Sequence, residues 1–275
     1  MFFKSNRLIE RQEGIDELNE LVRDKNNTLI IHYSCESFVT NHGNTPRITS
    51  ISIRNLKTAQ TKSFSIHLQA QFNKLTLQSL KNDDYDKLER ELLDEYFSFL
   101  ERHKTHRWAH WNMRDTNYGF EAINNRYRIL GGTPIEIDDD RKYDLPRIIG
   151  KIYSYRYEKN RPKGRLLNLA DRNNITTLEA LTGKDEADAF ENYKYLELHR
   201  STLRKVDIIE TIIYKIINRE LKVNSSSKEI YGLSISGLYE ITKNNWILFI
   251  VWSIIIFIIG AAFEPIIQKL FGTSN

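Results

Sequence analysis

Apolar and polar residues follow different rhythms in different parts of this chain, and each rhythm predicts an element. Over residues 1–25, Leu8, Ile15, Leu18, Leu21 and Val22 fall on one side of a short amphipathic helix. Thr28–Tyr33 (TLIIHY) reads as a strand, followed by a Gly- and Asn-bearing turn at 41–46. Ile48–Arg54 (ITSISIR) and Ser63–Leu68 (SFSIHL) alternate with period two, so two more strands are expected. Asp84–His103 returns to a helical rhythm, with Leu88, Leu92, Tyr96, Phe99 and Leu100 on one face. Arg107–Asn112 is strand-like, and a helix is expected from about 117 to 130, stopped by Gly131-Gly132.

Tyr143–Ile149 fits a strand and a helix start equally. Leu166–Arg172 and Thr177–Thr182 predict short helices, and Leu196–Asn218 a long one with Leu203, Val206, Ile209, Ile213, Ile216 and Ile217 at core spacing. The chain from Arg219 to about Ser236 is polar and contains Ser225-Ser226-Ser227, which predicts a linker over 219–243. Together these elements describe an α/β domain over 28–218, a mixed sheet flanked by helices.

The last rhythm has no polar phase. Trp246–Phe263 (WILFIVWSIIIFIIGAAF) carries no charge and only Ser253 as a polar side chain. Eighteen residues at helical rise span about 27 Å, close to the hydrocarbon thickness of a bilayer. Trp246, Trp252 and Phe263 supply interfacial aromatics. A transmembrane helix is therefore expected at 246–263, with a short tail at 264–275. The span lacks a small-xxx-small pattern and any intramembrane charge, so anchoring is its expected role.

Composition adds location. The lone Cys35 excludes an intramolecular disulfide framework and any cysteine-based zinc site, and it fits a reducing compartment. The first residues hold no apolar signal region. Lys228 and Lys243 precede the span and Lys269 follows it. A single-pass membrane protein with its large N-terminal body in the cytoplasm is expected. Net charge is only +4, but between Arg141 and Arg172 there are ten Lys/Arg against three Asp/Glu.

Phosphate-cradling glycine loops and nucleophile elbows are absent from the sequence, and nothing indicates a small-molecule cofactor. His103, His106 and His110 bridge a helix end and a strand, and Asp138-Asp139-Asp140 lacks the alternation of a calcium loop. Carboxylates are the stronger candidates. Glu36 lies just past the first strand, Asp115 past the fourth and Asp207 on the long late helix. Acids so placed can hold two divalent ions that activate water and stabilise a leaving oxygen. Ordinary solvated acids are the competing reading.

Several motifs then carry a resemblance. Ser34-Cys35-Glu36 stands at the end of strand one. His110-Trp111-Asn112-Met113-Arg114-Asp115 follows strand four. Tyr143-Asp144-Leu145 and Leu166-Leu167-Asn168-Leu169-Ala170 come next, and Asp207 comes last. In order and spacing these resemble the DEDD-type 3′–5′ exonucleases of the RNase H-like fold, over residues 28–217. The resemblance implies that fold, a metal set of Glu36, Asp115, Asp144 and Asp207, and Mg²⁺ or Mn²⁺ as cofactor if the site is active. Two departures oppose activity. Ser34 replaces the first metal-binding carboxylate, and the general-base positions hold Leu203 and Thr202. His199 lies eight residues before Asp207, about 80° out of line and some 12 Å along the helix. Loss of catalysis is the expectation, with Glu36, Asp115 and Asp207 vestigial.

One further segment suggests binding. In Lys151–Arg165 (KIYSYRYEKNRPKGR), Tyr153, Tyr155 and Tyr157 share one face if the backbone is extended. Bases would stack there while Lys151, Arg156, Lys159, Arg161, Lys163 and Arg165 track phosphates. A solvated basic loop and a contact for anionic lipid headgroups are the other readings. The sequence thus points to a membrane-anchored, inactive exonuclease-like domain that binds nucleic acid or a protein partner, as in a prokaryotic defence system. Its rivals are an active tethered nuclease and a purely protein-binding membrane scaffold.

Overall fold

The computed structural model describes residues 5–36, 45–80, 82–115, 118–243 and 246–271. The turn expected at 41–46 and the helix start at 117 fall wholly or partly outside these residues. Helix α1 (Asn6–Val22) starts at Ser5, whose hydroxyl accepts the Leu8 amide. Strand β1 (Thr28–Cys35) follows, then β2 (Ile48–Asn55) and β3 (Thr61–Ser65). The strand expected over Ser63–Leu68 ends at Ser65. That residue is extended, and its Oγ accepts the Leu68 amide, so helix α2 (Ile66–Phe72) begins where the alternation seemed to continue.

Helix α3 (Asn82–His103) leads to β4 (Arg107–His110) and α4 (Phe120–Ile129), which stops just before Gly131 at φ 80°. The ambiguous stretch after 142 is both things in turn: β5 (Lys142–Asp144), then α5 (Leu145–Tyr153) with Pro146 in its first turn. Helix α6 (Arg165–Arg172) falls where expected. Thr177–Thr182 is not helical. Thr182 instead forms a capping box with Asp185 that opens α7 (Gly183–Glu191). The long helix α8 covers Tyr195–Ile217.

The sheet is mixed and five-stranded, in the order β3-β2-β1-β4-β5. β1 pairs in parallel with β4 and β4 with β5, while β2 runs antiparallel to β1 and β3. Register places Ile31 beside His110 and His110 beside Asp144, so those strands finish together at one edge. Each face of the sheet has its own core. Ile31, Tyr33, Ile51 and Phe64 meet Leu88, Leu92 and Tyr96 of α3. Ile30 and Ala109 meet Ile149 of α5 and Val206, Ile209 and Ile213 of α8. Burial of each Val, Leu, Ile or Phe side chain among these contributes about 1.5–3 kcal/mol.

The segment after α8 corrects the expected linker. Ser226 forms a capping box with Glu229 and starts α9 (Ser227–Tyr231); α10 (Ile235–Lys243) follows. Ser226, the middle one of the three serines, acts as a helix cap. α9 is docked on the body: Arg7 donates to the Glu229 carbonyl at 3.0 Å, and Arg11 lies over the Tyr231 ring. Helix α11 (Trp246–Phe271) carries the apolar span and continues past Pro265, so residues 264–271 of the expected tail are helical.

Candidate functional site

The expected carboxylates are held at different ends of the sheet. Glu36 turns toward β2: its amide donates to the Arg47 carbonyl at 2.8 Å and its carboxylate accepts from the Arg47 amide at 3.3 Å. Asp144 closes β5 and is buried, with Oδ1 accepting the Asn112 amide at 3.0 Å. The Asp115 amide donates to the Tyr118 carbonyl at 3.1 Å. Asp207 is elsewhere. It pairs with Arg204 at 2.6 Å and with Arg54 at 3.5 Å, and Arg54 lies opposite Ile30 near the start of β1. Glu36 lies just past the other end of that strand, six residues or about 20 Å beyond Ile30. Asp207 therefore does not join the others. His199 does not serve it either: its Nε2 is 2.9 Å from Ser63 Oγ, and burial pushes its pKa down to about 4.

What faces the end of β1 is a buried polar seam that the apolar spacing of α8 did not reveal. Alternation turns Ile30, His32 and Ser34 toward α8. Cross-strand register pairs His32 with Ser52 and Ser34 with Ser50, and Ser50 Oγ is 2.9 Å from Thr202 Oγ1. One helical turn on, Lys205 Nζ is 2.6 Å from Glu186 Oε1, which also accepts from Ser201 at 2.9 Å. His32 Nδ1, Ser34 Oγ and Ser52 Oγ are buried without hydrogen-bond partners. Burial, then the Lys205 charge, holds His32 well below the usual imidazole range; burial, then Glu186, raises the Cys35 thiol. An ammonium among hydroxyls and one carboxylate does not suit a divalent ion. Among the described residues no three His, Cys, Asp or Glu gather into a metal-binding group. Thr202 was marked by the sequence only as an unsuitable general-base position, and Lys205 only as a polar interruption of the helix face.

A concavity opens where β4 and β5 end, at the edge where ligands of open α/β sheets bind. Its volume is about 420 Å³, with Met113, Phe120 and Ile135 as floor and Arg114, Asn124, Asp144 and Arg147 among the polar walls. His110 Nδ1 accepts the Met113 amide at 3.1 Å, which fixes the proton on Nε2. Burial, then the charges of Arg114, Lys142 and Arg147, pushes its pKa down to about 3, so this imidazole is neutral. Burial raises the Asp144 carboxyl; Arg114, 3.3 Å from Oδ2, opposes that without hydrogen-bond alignment. The other cations are engaged: Arg147 with Glu17 at 2.7 Å and Lys142 with Asp139 at 2.8 Å. The helical wall, α4, is tied to α3 by Arg126, which donates to both oxygens of fully buried Glu89. Asn124 and Arg147 carried no sequence signal.

The basic segment is not extended. Lys151 and Tyr153 belong to α5, and the rings diverge: Tyr157 is fully buried, Tyr153 half-buried and Tyr155 exposed. A single stacking face does not form. Lys151 bonds Glu13 and Glu17, Arg156 bonds Glu229, Lys163 bonds Asp171, and Arg165 lies over the Tyr157 ring. Lys159 and Arg161 are exposed with no ion pair among the described residues.

Finally, Trp246–Pro265 of α11 is long and apolar enough to cross a membrane, with a mean hydropathy of 2.7 and none of it buried against the body. No family model, no curated protein and no solved structure matches this chain.

Proposed function

We propose that this chain is a membrane-tethered domain of RNase H-like architecture that binds a protein partner and does not cleave nucleic acid. The strand order, with β2 alone reversed and helices on both faces, supports the architecture that the motifs of residues 28–217 imply. Lys205 carries the argument for lost cleavage. Its ammonium, paired with Glu186, acts on His32 beside Ser34, where a two-ion nuclease would gather carboxylates. The cleft at the ends of β4 and β5 favours a protein ligand. It has an apolar floor, walls of both signs and cations already paired, whereas a nucleic-acid groove needs free cations and exposed rings. Lys228 and Lys243 upstream of the span support a cytoplasmic location for the body.

The test uses the full chain in lipid nanodiscs. With labelled single strands of DNA and RNA and added Mn²⁺, no product is expected; product that vanishes in Asp115→Ala or Asp144→Asn would overturn the reading. A photo-crosslinker at Glu121, in the cleft, is expected to trap a discrete protein that one at Thr58, at the far end of the sheet, does not. Trapping of nucleic acid by a crosslinker at Asn160 would instead restore the nucleic-acid reading.

A further inference from the structure

The last helix before the span presents an apolar face that the body does not cover. On α10, Ile235, Leu238 and Tyr239 fall within about 100° of one another around the helix axis, and all three are exposed. Leu233, just before the helix, is 69 % exposed. The opposite side is seated. Gly237 is buried, and a Cβ there would lie 2.4 Å from the Tyr231 carbonyl and 2.6 Å from that of Gly232. Only glycine lets α10 fold this closely onto the end of α9. α9 in turn is fastened to α1 through Arg7 and to the loop after α5 through Arg156. The exposed stripe therefore has a set direction relative to the body.

Cations collect beside the same corner. The Asn224 amide donates to the Tyr157 carbonyl at 2.7 Å, and Asn168 bonds the Lys159 and Arg161 carbonyls, so the 154–164 loop lies against the chain leading into α9. Lys159, Arg161, Lys222 and Lys228 are exposed there, with no ion pair among the described residues. Two residues separate α10 from the apolar span.

We propose that α10 lies in the surface of the bilayer that α11 crosses, with Leu233, Ile235, Leu238 and Tyr239 at the headgroup–acyl boundary and these cations over anionic headgroups. An amphipathic helix with Leu and an aromatic on one face suits that boundary, and nearby Lys and Arg add attraction to anionic lipid. Because the α9–α10 corner is rigid, such docking fixes the orientation of the body as well as its distance from the membrane. The inference rests on the tether reading above.

Spin labels at Leu238→Cys, Ile255→Cys and Thr58→Cys, each in a Cys35→Ala background of the full chain in nanodiscs, separate the two ideas. Labels at Ile255 and Leu238 are expected to collide preferentially with oxygen, and the label at Thr58 with a soluble nickel complex. Nickel-accessible Leu238 with oxygen-accessible Ile255 would overturn the docking and leave the tether standing. Nickel-accessible Ile255 would overturn both. For the charged part, a fluorophore at Asn160→Cys is read against headgroup-quencher lipids. Quenching is expected to rise on adding phosphatidylglycerol and to fall back at high salt. Neutralising Lys159, Arg161 and Lys228 to Gln should lower the docking equilibrium on the order of a hundredfold. Quenching indifferent to lipid charge and to salt would refute the electrostatic contact.

Discussion

The wall of the β4–β5 cleft depends on one buried carboxylate, and replacing its partner, Arg126→Met, tests that dependence. Glu89 is completely buried on α3, accepts the Ile48 amide at 2.7 Å and receives Arg126 at 2.8 to 3.0 Å. Burial pushes its pKa up to about 7 even though Arg126 pulls the other way. Since the folded value lies above the ordinary 4.5, the native protein binds the proton more tightly than the unfolded chain. Stability from this group is therefore full at low pH, is lost as pH rises from about 4.5 to about 7, and then levels off. The total loss is about 3 kcal/mol.

Removing the guanidinium takes away the influence that holds the folded pKa down. In Arg126→Met that pKa moves higher, so stability keeps falling above pH 7 at about 1.4 kcal/mol per unit, where the wild type is flat. At pH 5 both forms carry a protonated Glu89 and the variant costs little beyond lost packing; near pH 8.5, about 1.5 units above the wild-type value, the further deficit reaches about 2 kcal/mol. Urea unfolding of the full chain in nanodiscs, followed by near-ultraviolet circular dichroism from pH 5 to 9, measures both curves. Adding Glu89→Gln should abolish the variant's slope. Parallel curves for wild type and Arg126→Met would refute the assignment of the titration to Glu89.

Two other predictions concern the basic segment and the helix corner. Tyr157→Ala should destabilise the body by about 3–4 kcal/mol because the ring is fully buried, while Tyr155→Ala should cost under about 1 kcal/mol; chemical denaturation separates them, and equal effects would restore a shared exposed face. Gly237→Leu should force α10 off α9, seen as faster amide exchange across Ser227–Lys243 with unchanged exchange in β1. Unchanged exchange in α10 would show that the corner tolerates a side chain.

The sheet was legible because its signals were local: period-two alternation in β2, and apolar faces in α3 and α8. The failures share a cause. SFSIHL alternates across Ser65, and only the Ser65 cap bond decides that the strand ends there. Ser225-Ser226-Ser227 has linker composition, yet one hydroxyl opposite Glu229 makes it a helix start. The tyrosine run makes one face only on an extended backbone, whereas α5 reaches Tyr153 and the chain then turns. At the candidate site, residue type predicted Asp207, but the depth at which α8 crosses β1 decides which side chains face the end of that strand. That depth is set by packing over the whole helix, and it selects Thr202 and Lys205.

Lys205 also explains why introducing one acid beside it should not create a metal site. A divalent ion about 4 Å from an ammonium is repelled by about 8 kcal/mol at an effective dielectric of about 20, and one carboxylate at the same distance returns about as much. Ser34→Asp alone should therefore form an ion pair with Lys205, next to the existing Glu186 contact, and bind no Mn²⁺. Adding Lys205→Asp removes the repulsion, contributes a second carboxylate and frees Glu186, so the double variant should take up the ion. Mn²⁺ titration of the full chain followed by electron paramagnetic resonance distinguishes the cases. Uptake by Ser34→Asp alone, at the same affinity as the double variant, would show that Lys205 does not occupy the place of the ion and would refute the reading of lost cleavage.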